Sequence, residues 1–367
     1  IESQAKSVLF WRSFTHWLGG MGIVVLATAL LPSIGIGGQN VASAETPGPT
    51  LTKVTARFSD NSKTLYVLYI SFTVAEFILL VIGGMSAYDS AIHTFGTVGT
   101  GGFSNYGDSI AHFTSPYIQW VIIIFMMLCG INFNLYFFIP RKRFREFFAD
   151  EELRLYLGMI FIFSFASAFI LLTQGDYASI SKAIRDSFFH IVSVMTTTGY
   201  VTADFDLWPA FCKMLIFIVM ITGACSSSTG GGVKIIRVLA AIKFVKRGFF
   251  QKLHPNRVIN MTINKIPVQQ SVVTNIVNFI FLYIAVLFVG TLLVALDGKD
   301  LVTSFSAVLT CLSNVGPGFN GVGPTMNFSG FSDYATLLLS FLMIAGRLEL
   351  FTLLVLFSPR YWNSNRV

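Results

Sequence analysis

Three glycine-centred pentapeptides are the stretches of this chain best equipped for chemistry. They are Thr97-Val98-Gly99-Thr100-Gly101, Thr197-Thr198-Gly199-Tyr200-Val201 and Asn314-Val315-Gly316-Pro317-Gly318. None brings together a nucleophile and a base, or a set of metal-ligating side chains. What they offer is backbone. Successive carbonyls that point the same way can replace the hydration shell of a bare cation. That geometry uses conformations that glycine adopts cheaply and residues with a Cβ rarely adopt. The candidate ion ligands are therefore Thr97, Val98 and Gly99, then Thr197, Thr198 and Gly199, then Asn314, Val315 and Gly316.

Each pentapeptide needs an element to aim it. A short amphipathic run precedes each one, at 87–95, 181–195 and 303–312, and a long apolar run follows. The short runs are expected to be half-helices. A helix C-terminus carries roughly half a negative charge, which favours a cation. The unit of span, half-helix, glycine turn and span recurs about every hundred residues, as one module repeated. The expected spans are 8–31, 65–82, 116–139, 153–172, a fifth opened by Trp208-Pro209, 272–296 and 334–357. The chain divides accordingly. Residues 1–63 hold the second span of a first repeat and a cytoplasmic connection. Residues 64–152, 153–268 and 269–367 hold repeats two, three and four. Stepping back from Gly99 by one period places the first repeat's glycine just before Ile1.

The fifth span does not stay apolar. It runs to about Ile221 and breaks into Thr222-Gly223-Ala224-Cys225-Ser226-Ser227-Ser228-Thr229-Gly230-Gly231-Gly232. About 14 residues of helix reach about 20 Å, short of a hydrocarbon core of about 30 Å. The break therefore lies at membrane depth, where irregular backbone must be buried in protein or line a wet cavity. Thr229–Lys234 has a superficial likeness to a phosphate loop, but no Gly-Lys-Ser/Thr follows and no strand precedes it.

Composition agrees with a membrane protein. Apolar residues make up 54% of the 367 and charged residues 12%, about half the charged share of soluble domains, which is about 25%. Mean hydropathy is +0.69. The expected class is an all-α polytopic membrane protein. The net charge is +7. Eighteen of the 25 Lys and Arg fall in 32–63, 140–154, 234–267 and the tail from Ser358, which makes those segments cytoplasmic by the positive-inside rule. The glycine turns then face outward, near Asp89, Asp108, Asp186, Asp204, Asp206, Asp297 and Asp300. Four cysteines without CxxC spacing suggest neither disulfides nor zinc. Five scattered histidines and no Gly-x-Ser-x-Gly elbow argue against an enzyme.

The first pentapeptide is one residue away from the TVGYG filter of potassium channels. With it stand FWRSFTHWLGGMGIVVLA, FGTVGTGGFSN, GINFNLYF, TTTGYVTADFDLWP, CSSSTGGGVKIIR, LSNVGPGFN and AGRLELFTLLVLFSP. As a set, spread over essentially the whole chain, these resemble the TrkH/KtrB/HKT superfamily of potassium transporters, most closely the bacterial TrkH type. The resemblance implies a four-fold pseudo-repeat around one central pore, with most of the first repeat absent here. It also implies K+ uptake across the bacterial inner membrane, and one key glycine per filter, here Gly99, Gly199 and Gly316. Its gate is the intramembrane loop Gly223–Gly232, with Ser226, Ser227, Ser228, Thr229, Gly230 and Gly231, together with Arg347. Implied partners are a second copy, with one pore per subunit, and a cytoplasmic nucleotide-binding subunit of TrkA or KtrA type. The basic segments Arg141–Arg145 and Lys243–Arg257 are then docking surfaces or lipid-facing charge.

Arg347 has two readings. It falls about 13 residues into its span, near mid-bilayer, where arginine costs about 2.5–3.5 kcal/mol on insertion scales. Either it is a fixed charge in the pore or it forms a buried pair with Glu76 or Glu349. Those two carboxylates also define a rival function, a proton- or sodium-coupled carrier.

Overall fold

The computed structural model describes residues 1–20, 22, 58–175, 177–257, 259–348 and 350–357. The expected inner half of the first span, most of the connection that follows it, Glu349 and the tail from Ser358 lie outside the described residues.

Helix α1 (Lys6–Gly20) leads into three copies of one unit. The first copy is α2 (Phe58–Ile82), α3 (Ala87–Val98) and α4 (Pro116–Gly130). A short helix α5 (Phe144–Ala149) connects it to α6 (Glu151–Thr173), α7 (Ile180–Met195) and α8 (Ala210–Thr222). Helix α9 (Ile235–Leu253) and a two-stranded hairpin (β1 Thr262–Ile263, β2 Ile266–Pro267) follow. The last copy is α10 (Gln270–Ala295), α11 (Leu301–Ser313), α12 (Asp333–Arg347) and α13 (Leu350–Leu356).

The first helix of each copy is whole. Thr64–Ile82, Glu151–Thr173 and Gln270–Ala295 are long and apolar enough to cross a membrane. They are apolar all round because one side meets protein and the other lipid. Val67, Ile162, Phe169, Phe281 and Leu292 remain exposed, while Leu80, Ile160, Leu171, Leu287 and Val294 enter the core.

The second helix of each copy is broken. Helix α4 stops at Gly130 and a 3-10 turn (Phe133–Phe138) continues the path. Helix α8 stops at Thr222, and α12 stops at Arg347 before α13 resumes. The expected uninterrupted spans 116–139 and 334–357 are thus each two pieces. Glycine supplies the reason. A Cβ on Gly130 would lie 2.2 Å from the Tyr156 hydroxyl, and one on Gly346 2.0 Å from the Leu312 carbonyl oxygen. A neighbouring side chain at Gly130 and neighbouring backbone at Gly346 occupy that space. A second correction concerns residues 243–268. The expected basic loop begins as helix, since α9 continues to Leu253.

The half-helices α3, α7 and α11 are buried and share one N-terminal device. The side chains of Ser86, Ser179 and Asp300 accept from the backbone of Asp89, Lys182 and Thr303. Such a cap satisfies one of the four orphan donors of a helix start. The last helix of each copy packs against the half-helix of the next, α4 on α7 and α8 on α11, and α1 packs on α3. This head-to-tail order bends the copies around a common axis.

Hydrogen bonds from Thr303 hold the Asp300 carboxyl below the usual carboxylate range, so its stabilising contribution is present at neutral pH and fades as pH falls through that lowered value. Asp300→Ala is expected to cost about 1 kcal/mol at neutral pH and less in acid. Thermal denaturation in detergent at the two pH values checks this; an unchanged midpoint at neutral pH removes the cap from the account.

Candidate functional site

The C-termini of α3, α7 and α11 converge, and the loops after them follow one backbone course. Thr197 and Asn314 have φ of +58° and +57°, and two residues later Gly199 and Gly316 have φ of +81° and +107°. In the second repeat the same pattern falls on Thr100 (+54°) and Gly102 (+63°). Hydrogen bonds give the same register. The amides of Gly101 and Gly102 both reach Gly96 O, at 2.8 and 3.2 Å, as those of Thr198 and Gly199 reach Ser193 O, at 2.9 and 3.3 Å. Val315 N reaches Thr310 O at 3.0 Å.

This displaces one expected alignment by three residues. Thr97 and Val98 form the last turn of α3, and Gly99 is its C-cap at φ −74°, the counterpart of Thr196 at φ −80°. The counterpart of Gly199 and Gly316 is Gly102. The helix runs on through Val98, and within it the Thr97 hydroxyl donates to His93 O at 2.8 Å.

The three loops touch in order. A Cβ on Gly102 would sit 2.0 Å from Thr198 O, and one on Gly199 2.2 Å from Val315 O. Each glycine thus accepts the carbonyl of the next loop where no side chain would fit. Nothing among the described residues lies within 4 Å of a Cβ on Gly316. Side chains hold the ring from behind. The Tyr200 hydroxyl lies 2.9 Å from Phe103 O and 3.1 Å from His93 O, across two repeats. His16 on α1 donates from Nε2 to Gly99 O at 3.0 Å, and its ring fills the space beside Gly101.

Beneath the ring lies the break after α8. Gly223 (φ +68°) and Gly232 (φ +77°) face each other, and a Cβ on either would come within 3 Å of the other's neighbourhood, 2.4 Å from Gly231 O and 2.8 Å from Gly223 Cα respectively. They pinch residues 223–232 into a closed loop. Its upper side meets the ring directly. Gly231 N donates to Thr197 Oγ1 at 2.7 Å, and a Cβ on Gly230 would lie 2.8 Å from Thr196 O. The break in α4 supplies further partners. Cys225 N reaches Gly130 O and Phe133 N reaches Ser227 O, both at 3.1 Å, and Thr229 Oγ1 reaches Cys129 O at 3.4 Å. Ser228 Oγ turns inward to Cys225 O.

Three cations border this loop. Arg347 donates to Thr229 O at 3.0 Å. Lys234 donates to Gly230 O. The Arg237 guanidinium lies 3.8 Å from the Phe279 ring centroid. All three line a small cavity with Gly230, Gly231 and Gly232. The expected arginine thus meets the expected loop, although at a helix end rather than mid-helix. A guanidinium suits a helix C-terminus, where the last carbonyls carry partial negative charge.

Other expected groups do not join. Glu76 is fully buried, and neither oxygen has a hydrogen-bond partner or forms an ion pair among the described residues. It is not paired with Arg347. Several outer aspartates serve the local backbone instead of standing free at a mouth. Asp204 caps the turn at Phe205–Leu207, Asp206 accepts from Asn320 N at 2.8 Å, and Asp89 accepts from Asn105 at 2.8 Å. Sequence reasoning missed His16, Asn132, Glu152 and Lys234. Glu152 gave a signal as the last of three consecutive acids, but such a run on an inner turn ordinarily signals a solvated helix start. No His, Cys, Asp or Glu cluster suited to a metal occurs among the described residues.

Comparison with known proteins places this geometry. The sequence matches the family TrkH, described as a cation transport protein, over residues 1–364. It is 35% identical over 364 residues to the Trk system potassium uptake protein TrkH of Escherichia coli K12, covering 99% of this chain and 75% of that one. The same-named protein of Vibrio parahaemolyticus is 34% identical over 368 residues, with 99% and 76% covered. The crystal structure of the potassium transporter TrkH from Vibrio parahaemolyticus superposes with a TM-score of 0.85 at 33% identity, covering 99% of this chain and 74% of that one.

The register of the second loop is open to test. A side chain at a left-handed position costs about 1–3 kcal/mol and here also collides with Thr198 O. Gly102→Ser is expected to lower discrimination among monovalent cations by about tenfold, a 1.4 kcal/mol change, as is Gly199→Ser. Gly99→Ser is expected to change it far less. Reversal potentials in mixed salts measure all three, and a larger effect at Gly99 than at Gly102 would overturn the register.

Proposed function

The chain belongs to the TrkH family of cation transport proteins, multi-pass helical proteins of the bacterial inner membrane, and from that premise we propose that it carries K+ inward through a ring of backbone carbonyls gated from below. The proposed ion-binding residues are Thr100–Gly102, Thr197–Gly199 and Asn314–Gly316. The observation that carries the reading is the ordered contact of Gly102 with Thr198 O and of Gly199 with Val315 O. It makes three separate loops into successive parts of one ring.

Three half-helix C-termini, each worth roughly half a negative charge, point at the ring and lower the cost of a bare cation there. Carbonyl oxygens substitute for lost water. The chain needs no organic cofactor for this; K+ is the cargo. The loop Gly223–Gly232 and Arg347 form the gate. A fixed positive charge 4 Å from the ion path opposes a cation by about 4 kcal/mol at an effective dielectric of about 20, a barrier near a thousandfold. Thr229 O anchors that charge through a hydrogen bond that a small movement can break.

The proposed assembly is a homodimer with one pore per subunit, regulated by a cytoplasmic nucleotide-binding subunit of TrkA or KtrA type. Relatives named as parts of a Trk system support the second half of this. The exposed basic faces of α9 and of residues 141–145 are the proposed docking surfaces, shared with anionic membrane lipid.

A second reading, a proton- or sodium-coupled carrier, rests on Glu76. A buried carboxyl with no partner among the described residues is the kind of group that exchanges a proton. Glu349, the other carboxylate of that reading, lies outside the described residues. Glu76→Gln separates the two readings in proteoliposomes. A K+ conductor retains K+ flux with no linked proton movement, whereas a coupled carrier loses both.

Two variants test the gate. Arg347→Ala is expected to raise K+ flux by at least about tenfold, about a third of the electrostatic barrier above in free energy, with the thermal midpoint kept within a few degrees. A destabilised protein with no gain in flux would instead mark a packing role. Shortening Gly223–Gly232 by three residues is expected to raise flux as well. A folded short-loop protein that conducts like the parent places the gate elsewhere.

A further inference from the structure

Glu152 is an ionisable side chain, 3% exposed, in the first turn of α6. Nothing in the ring or the arginine gate requires it. Yet both of its oxygens are committed to one residue of the gate loop. Ser226 N donates to Oε1 at 2.6 Å and Ser226 Oγ donates to Oε2 at 2.8 Å. Asn132 Nδ2 donates to Ser226 Oγ at 3.2 Å and completes the seat. A carboxylate that accepts two hydrogen bonds is a stronger tether than a neutral acceptor, because charge-assisted bonds are roughly twice as strong. Burial in a membrane protein removes the competing water.

The two residues before it face the other way. Asp150 caps α6 with Oδ1, at 2.8 Å from Leu153 N, and its Oδ2 accepts from Asn264 Nδ2 at 2.6 Å. Glu151 donates from its amide to Asn264 Oδ1 at 2.8 Å, and its carboxylate receives Lys243 Nζ. Lys243 also donates to Thr262 O at 2.7 Å. Asn264 sits at the tip of the hairpin, where Asn264 and Lys265 both take φ above +50°. The hairpin is not a loose appendage. Met261 and Ile263 pack with Ile236 and Ala240 of α9 and with Val273 and Ile276 of α10.

Three consecutive acids therefore join three elements at one helix start: hairpin, α9 and gate loop. Helix α9 in turn begins three residues after Gly232, at the other shoulder of the same loop. The loop is held at Ser226 through Glu152 and at Ile235 through the chain itself, and both holds lead to the same cytoplasmic body.

We propose that Glu152 is the positioning residue of the gate loop, and that the first turn of α6 couples displacement of the hairpin and α9 to the loop through Asp150–Asn264, Glu151–Lys243 and Glu152–Ser226. The proposal rests on the reading of residues 223–232 as a gate. It adds the point at which a load on the cytoplasmic face reaches it. A push on the hairpin tilts the α6 start, withdraws the carboxylate from Ser226 and frees the loop on the side away from Arg347.

The test is a flux cycle on the protein reconstituted in liposomes. Glu152→Gln keeps size and loses the charge. It is expected to raise maximal K+ flux by about tenfold or more, the scale of one charge-assisted hydrogen bond, with the half-saturating concentration and the cation selectivity unchanged. Asn264→Ala, at the far end of the relay, is expected to raise flux in the parent protein and to add nothing in the Glu152→Gln background. Equal effects of Asn264→Ala in both backgrounds overturn the coupling, and so does parental flux in folded Glu152→Gln protein. If Glu152→Gln does not fold, Ser226→Ala replaces it as the background; it deletes the Oγ bond and keeps the N–H bond. The same two outcomes then decide. The shortened-loop variant runs alongside. If it conducts like the parent, the gate reading fails and takes this proposal with it. If it conducts faster while Glu152→Gln and Ser226→Ala do not, only the relay fails.

Discussion

The structure depends on how close one backbone can come to another. Gly102 lies where a Cβ would sit 2.0 Å from the carbonyl oxygen of Thr198, and Gly199 stands in the same relation to Val315. These contacts determine the diameter of the ring, because no residue larger than glycine allows it. They also fix what surrounds the ring. Half-helices must end just short of it, which is why α3, α7 and α11 are buried and capped by similar side chains. The whole helices α2, α6 and α10 then wrap the outside and meet lipid. Backbone inside the membrane must find its hydrogen bonds within the protein. Here the amides after each half-helix fold back on the carbonyls of its last turns, at Gly96, Ser193 and Thr310, which leaves the loop's own carbonyls available to face inward.

The same accounting explains the three broken helices. A break frees carbonyls and amides that cost several kcal/mol each if left unpaired in hydrocarbon. The breaks lie around one centre and pay one another's debts. Gly130 O and Cys129 O of the α4 break accept from Cys225 N and Thr229 Oγ1 of the α8 break. Ser227 O accepts from Phe133 N in return. Arg347, at the α12 break, supplies the donor for Thr229 O. The α8 break is the hub: removing it would strand groups at both of the others, and removing either of those would strand groups at α8, so the three form one feature rather than three local accidents.

Much of this was legible in the sequence, and what was hidden was hidden for physical reasons. Glycine turns after amphipathic half-helices were readable in all three repeats. The third and fourth registers followed directly, because each has one glycine at the right distance from its helix. In FGTVGTGGF the spacing Thr-x-Gly occurs twice, and sequence does not say how far the helix runs. The fold settles it: α3 runs to Val98, and the amides of Gly101 and Gly102 turn back to Gly96 O. The α8 break was visible because ten polar and small residues cannot be helix in lipid. The α4 and α12 breaks were not, since GINFNLYFF and GRLELFTLL carry only isolated polar residues within apolar runs and each has a single glycine at the bend. Helix α9 was obscured by its charge, which reads as loop until the apolar face of Ile236 and Ala240 meets the hairpin. Glu152 was beyond reach, because its partner lies 74 residues away.

Ring and loop share one more constraint. Gly231 N donates to Thr197 Oγ1 at 2.7 Å, and Thr197 is the left-handed residue that begins the third loop of the ring. If residues 223–232 move as a gate, that bond must break, because it is the loop's direct tie to the ring. The threonine hydroxyl then loses its donor in a site from which bulk water is largely excluded, and an unpaired buried polar group costs about 1–3 kcal/mol. An arriving cation is a natural new partner for that oxygen. Opening and ion entry thus favour each other by thermodynamic linkage: whatever the cation contributes at Thr197 lowers the cost of holding the loop open by the same amount. The closed loop, in turn, competes with the ion for the same hydroxyl. If the loop is the gate and the ring the filter, as proposed, the two are one hydrogen bond apart and are not independent of each other.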